Sequence, residues 1–143
     1  MSRTALETVR RVKDQRQQSA ARALGDQQRA LAEQEARLAQ LMNHREHYRT
    51  LLHHLGGQGL DARQLGEYRA FLQRLETAIA QQRHRIQQSR ARLQQCRDAW
   101  LACRQEVEAI DQLVNRRAQR QRQHQARLEQ NENDDLAANR RAP

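Results

Sequence analysis

Two cysteines, six histidines and one glycine-rich run are the residues of this 143-residue chain whose types could do chemistry. Cys96 and Cys103 are seven apart, so on a helix they share a face. About 10.5 Å of helical rise separates such a pair, beyond disulfide reach. With no closely spaced histidine they do not make a zinc site and read as small buried hydrophobes. His44, His47, His53 and His54 cluster ahead of the glycines, but no His-Glu-x-x-His pattern or carboxylate group accompanies them. Gly56-Gly57-Gln58-Gly59 lacks the Lys-Ser/Thr pair and the preceding strand of a phosphate-binding loop. The expectation is therefore a protein that is not an enzyme, with no catalytic residue, no cofactor and no metal.

What remains is binding chemistry. Around the glycine run, apolar residues double up: Leu41 with Met42, Leu51 with Leu52, Phe71 with Leu72, and Ala78 with Ile79. A two-helix seam uses about two apolar positions per heptad. One member of each pair can face a partner helix and the other must look sideways. This gives a second stripe of Leu41, His44, Tyr48 and Leu51 against Phe71, Leu75 and Ala78. The stripe is either a wider, tighter core at the turn or an exposed apolar patch that meets another protein, and the patch is the expectation. Three of the four aromatic residues, Tyr48, Tyr68 and Phe71, fall in the same zone, as interface anchors often do.

The elements that must position these residues are helices. From Leu65, steps of three and four give Leu65, Tyr68, Leu72, Leu75, Ile79, Gln82, Ile86, Ser89, Leu93, Cys96, Trp100, Cys103, Val107, Ile110 and Val114. All but Gln82 and Ser89 are apolar or Tyr, a sustained heptad stripe that predicts a coiled coil. In the first half Leu24, Leu31, Leu38 and Leu52 share one position, with Arg45 interrupting, and Leu41, Tyr48 and Leu55 share the other. Leu6, Val9 and Val12 read as out of step with that register, which predicts a stutter. Between the halves, Gly56 suits the left-handed residue that ends a helix, and Asp61 followed by Gln64 resembles a capping box. So short a loop returns the chain antiparallel. With Leu55 opposite Leu65, paired residue numbers sum to about 120 and Leu6 faces Val114, in a paired length of roughly 75 Å.

The reading is an all-α, antiparallel two-helix coiled-coil hairpin over residues 1–130. Helix 1 covers about 4–55, the turn 56–61 and helix 2 about 62–130, with a polar, disordered tail over 131–143. Composition agrees. Hydrophobic residues are 37% and charged residues 30%, too little apolar matter for a thick core and suited to a thin seam with a large wet surface. The net charge of +9 comes from 25 Arg and the single Lys13, spread along the chain and densest over Arg116–Arg127. That spread favours solubility and acidic partners without naming one. Glu129, Glu132, Asp134 and Asp135 follow directly and weaken a nucleic-acid footprint, as does the lack of interleaved aromatics. No secretory signal or membrane-length apolar run is visible, so a cytoplasmic protein is expected.

The run Tyr48-Arg-Thr-Leu51, the Gly56–Gly59 turn, and Tyr68-Arg-Ala-Phe71-Leu72-Gln-Arg-Leu75-Glu76-Thr-Ala78-Ile79 resemble the FliJ family of the bacterial flagellar export apparatus. The resemblance implies a fold similar to the stalk of rotary ATPase gamma subunits. It implies a non-enzymatic part of a type III export machine, peripherally associated with the cytoplasmic face of the inner membrane. The helix ends away from the turn would sit within the hexameric export ATPase FliI and promote ring assembly. Those ends carry Leu6, Val9, Arg10, Val114, Arg116, Arg117 and Arg120. The face near the turn would bind the cytoplasmic domain of the export gate FlhA, and export chaperones would bind as well. The gate-binding positions carry over onto Arg37, Leu41, His44, Tyr48, Phe71, Leu75, Ala78 and Gln82. Leu41, Tyr48, Phe71, Leu75 and Ala78 retain the family pattern, whereas Arg37, His44 and Gln82 depart from it. No nucleic-acid partner is expected.

Other functions share this architecture. A stalk protein of a virulence-type secretion system would look alike, and a basic coiled coil could bind nucleic acid through Arg116–Arg127 with steep salt dependence. A homo-oligomeric scaffold would use the same seam pattern.

Overall fold

The computed structural model describes residues 3–141, as two helices and no strand among the described residues. Helix α1 spans Arg3–Gly56 in 54 residues and α2 spans Ala62–Arg141 in 80. The chain divides into two compact units. One contains Ala20–Trp100, including the turn; the other joins the residues up to Ser19 with those from Leu101 onward.

The unit containing the turn is an antiparallel helical hairpin. Helix α1 stops after Gly56, where the Gln58 N–H donates to the Leu55 carbonyl at 3.0 Å. The left-handed residue is Gly59, at φ 82°, and not Gly56, which stays within the helix. The reversal thus comes three residues later than the sequence suggests, because Gly57 and Gln58 complete the turn first. Asp61 then caps α2: its Oδ1 accepts from the Gln64 N–H at 2.8 Å and its carbonyl from the Leu65 N–H at 3.1 Å. These bonds satisfy donors that a helix start leaves without partners.

The core of this unit is the stripe read from α2. Ile79, Gln82, Ile86 and Ser89 are buried in succession, and Ile79 is only 1% exposed. Across it lie the half-buried Leu31, Gln34, Leu38 and Leu41 of α1. Gln82 solves its own burial: Nε2 donates to the Gln34 carbonyl at 2.9 Å and to Gln34 Oε1 at 2.6 Å. A buried amide without partners would cost about 1–3 kcal/mol, so Gln34 and Gln82 form a polar layer that tolerates few other alignments.

In the second unit, Leu6 of α1 and Val107 of α2 are the buried apolar residues. Arg10 bonds Asp111 at 2.6 Å and Lys13 bonds Glu106 at 3.1 Å, so here too the helices run antiparallel and on the expected register. Leu6 is in step after all: it precedes Leu41 by five whole heptads. The sequence obscures this because Lys13, Ala20, Gln27 and Gln34 occupy the intervening positions. Val9 is half-buried and Val12 faces out, so only Val12 is fully off the seam.

Helix α2 does not end near 130. It continues to Arg141, through the segment read as a disordered tail; Ala142 and Pro143 lie outside the described residues. No Gly or Pro interrupts the sequence between Gly66 and Pro143, and Leu136, Ala137 and Ala138 favour helix. Every residue from 118 to 141 is exposed.

Candidate partner-binding surfaces

Near the turn, the side chains singled out by sequence come together in part. Tyr48 of α1 and Phe71 of α2 meet with ring centroids 4.4 Å apart, tilted by 48°. His47 meets Tyr48 edge-on at 6.0 Å, and the Arg74 guanidinium lies 5.9 Å over the Phe71 ring. A charged network flanks this cluster. Arg45 reaches Glu46 at 3.3 Å and Glu76 at 3.5 Å, while Arg49 bonds the same two carboxylates at 3.2 and 2.8 Å. The Arg45 side chain is 14% exposed, and its Nε is buried without a hydrogen bond of good geometry. Sequence reading saw Arg45 only as an interrupted leucine position. The acid that answers it, Glu76, lies on the other helix and left no local signal.

The doubled apolar residues form a half-buried rim and not an open apolar face. Leu41, Met42, Tyr48, Leu51, Phe71, Leu75 and Ala78 are all half-buried. Among the described residues, the exposed large apolar side chains are Val12, Leu101, Leu113, Leu128 and Leu136, all in the other unit. The cause is mutual cover: Phe71 and Tyr48 shield each other, so the second stripe widens the seam. Of the positions carried over for gate binding, Arg37 and His44 are exposed and Leu41, Tyr48, Phe71, Leu75 and Ala78 are half-exposed on this rim. Gln82 lies apart from these: it is 3% exposed in the seam, with its amide nitrogen bonded to Gln34.

In the other unit, Leu6, Val114, Arg117 and Arg120 line one open hollow of about 1050 Å³. It lies where the first turns of α1 meet α2, with the ion-paired Arg3 and Glu7 at one side. Val9 is half-buried and Arg116 is exposed outside the hollow. Arg10 is held by Asp111, whose hydrogen bond and then whose charge raise the guanidinium above the ordinary arginine value. Cys96 and Cys103 are free and half-buried. Among the described residues, no group of three or more His, Cys, Asp or Glu could hold a metal ion, and no helix is long and apolar enough to cross a membrane.

Residues 1–142 match the family described as Flagellar FliJ protein. The chain belongs to the FliJ family. A Flagellar FliJ protein of Salmonella typhi is 35% identical over 83 residues, covering 58% of this chain and 55% of that relative. The chain thus matches just over half the length of this curated FliJ protein. FliJ membership supports a flagellar export component in the general sense.

Proposed function

We propose that this FliJ-family chain is a non-enzymatic component of the flagellar type III protein export apparatus that links the export ATPase to the export gate. In this reading the free ends, with Leu6, Val9, Arg10, Val114, Arg116, Arg117 and Arg120, engage the FliI hexamer and promote its assembly. The rim near the turn, built on Tyr48 and Phe71 with Leu41, Leu75, Ala78, Arg37 and His44, engages the cytoplasmic domain of FlhA. Export chaperones are further partners. The protein works in the cytoplasm, held at the inner face of the membrane through the gate.

The observation that carries the reading is the family match over residues 1–142. The half-exposed Tyr48–Phe71 pair supports the gate surface: an aromatic pair can give up its remaining exposed area to a partner at small entropic cost. The test is capture from cytoplasm by the full chain and by a chain ending at Asn115, with FliI and the FlhA domain as the probed partners. Capture of both by the full chain, with FliI lost on truncation and FlhA kept, is the expected result. Capture of neither sinks the reading. A deletion strain that swims but fails to secrete effectors assigns the chain to a virulence-type system instead.

A further inference from the structure

The seam of the Ala20–Trp100 unit has two flanks, and they handle charge differently. In a coiled coil the residues beside the apolar stripe meet those of the partner helix and set the charge balance. On one flank they are matched. Glu35 and Arg49, two heptads apart on α1, meet Arg90 and Glu76, two heptads apart on α2, at 3.5 and 2.8 Å. Arg45 joins Glu76 on that side. The other flank carries Arg37, His44 and Leu51 from α1 and Phe71, Ala78 and Arg85 from α2, each series at seven-residue spacing. Arg74 adds its guanidinium over the Phe71 ring. Arg37, Arg74 and Arg85 are exposed, and none of them makes an ion pair with another described residue. Acids border this flank only at its ends: Glu33, one turn before Arg37, and Glu67, which pairs with Arg63.

We infer that this flank receives an acidic amphipathic segment of a partner protein, with Arg37, Arg74 and Arg85 as its specificity-determining residues. Apolar side chains of the segment would cover the half-exposed Tyr48, Leu51, Phe71 and Ala78, and its carboxylates would meet the three guanidiniums. A flank that balances its own charge gains little from charge on a partner. This one leaves three forked donor groups free of carboxylate, each suited to pair with an acid in bidentate fashion. The apolar strip between them is narrow and half-covered. It can seat a few side chains of a peptide but offers too little to sink into a lipid acyl layer. The inference rests on the proposed gate reading for the identity of the partner, and adds the chemistry by which the rim selects it.

The test titrates the full chain with the FlhA cytoplasmic domain and with two synthetic helices that share one apolar face, one flanked by Glu and the other by Lys. The Glu helix and the FlhA domain should bind, about tenfold or more weaker at high salt, and the Lys helix should not. Arg37→Glu, Arg74→Glu and Arg85→Glu together should cost at least as much. Arg83→Glu with Arg97→Glu, at the spacing of Glu76 and Arg90 on the matched flank, should change binding by less than about twofold. All five arginines are exposed, so both variants should keep the ellipticity of the parent chain. An FlhA domain that binds with no response to salt or to the triple reversal overturns the inference and leaves the gate reading standing. A Glu helix that binds as expected, beside an FlhA domain that does not, upholds the inference and removes the gate as the partner. Equal binding of both helices, binding of neither, or attachment to phosphatidylglycerol vesicles in place of the Glu helix overturns the inference outright.

Discussion

The rings of Tyr48 and Phe71 pack across the two helices 4.4 Å apart, close enough to shield each other yet leaving both half-exposed. Each therefore packs in the seam and keeps area that the proposed gate surface would use. Replacing both Phe71 and Leu75 with Ala should weaken binding of the FlhA domain about tenfold or more, as loss of interface anchors does. Stability should fall by only about 1–2 kcal/mol, below the cost of a fully buried Phe→Ala change. Isothermal titration alongside far-UV circular dichroism separates the effects: lost binding with retained helix supports the rim, and unchanged binding removes it.

Arg45 occupies a position that Leu24, Leu31, Leu38 and Leu52 fill elsewhere in α1. Its guanidinium is largely out of water and is answered by Glu46 and Glu76. Both acids are well exposed, so only the arginine carries a desolvation cost; replacing it with an apolar group removes that cost, whereas removing Glu76 strands the covered charge. Arg45→Leu should raise the Tm and Glu76→Ala should lower it. If both lower it, the network contributes to the seam beyond charge balance.

The polar layer of Gln34 and Gln82 should behave non-additively. Gln34→Leu removes one acceptor from a buried amide and should cost about 1–2 kcal/mol. Adding Gln82→Leu should recover that loss, because replacing both partners by apolar groups can be close to neutral. A double-mutant cycle in urea measures the coupling, and additive effects would show that the two amides act independently.

At the turn, two glycines should respond in opposite ways. Gly59 sits at φ 82°, so Gly59→Ala should destabilise by about 1 kcal/mol. Gly56 is helical and a Cβ there meets nothing within 4 Å, so Gly56→Ala should stabilise by about 0.5–1 kcal/mol. Asp61→Ala removes the cap on Gln64 and should cost about 1 kcal/mol, with Asp61→Asn recovering most of it. Thermal melts of the three variants check all of this.

Helix α2 was legible in the sequence because its stripe is dense. All fifteen positions from Leu65 to Val114 are buried or half-buried, Gln82 and Ser89 included. Helix α1 was less legible because Lys13, Gln27, Gln34 and Arg45 sit in its seam, and Lys13, Gln34 and Arg45 each meet a partner on the other helix. That is also why Leu6 read as out of step. Gln82 read as part of the seam stripe and entered the partner-binding set only through the family resemblance; its bond to Gln34, forty-eight residues away, left no local signal. The mutual cover of Tyr48 and Phe71 was not legible either, because period alone does not show which side chains of the two helices meet. The helical end of α2 was missed because polarity was taken for disorder, although no helix breaker is present.

The exposed last part of α2 bears on how the protein melts. A helix buried on one face gains and loses order with its partner, in a single steep transition. Residues 118–141 are all exposed, so their order follows mainly the gradual, length-dependent balance of a free peptide. On heating, ellipticity should drift downward well before the paired segments give way. Calorimetry should register little heat over that drift, since no packed contacts are being broken. The two signals would then disagree about where unfolding begins, and the gap between them measures how much of α2 stands without cooperative support.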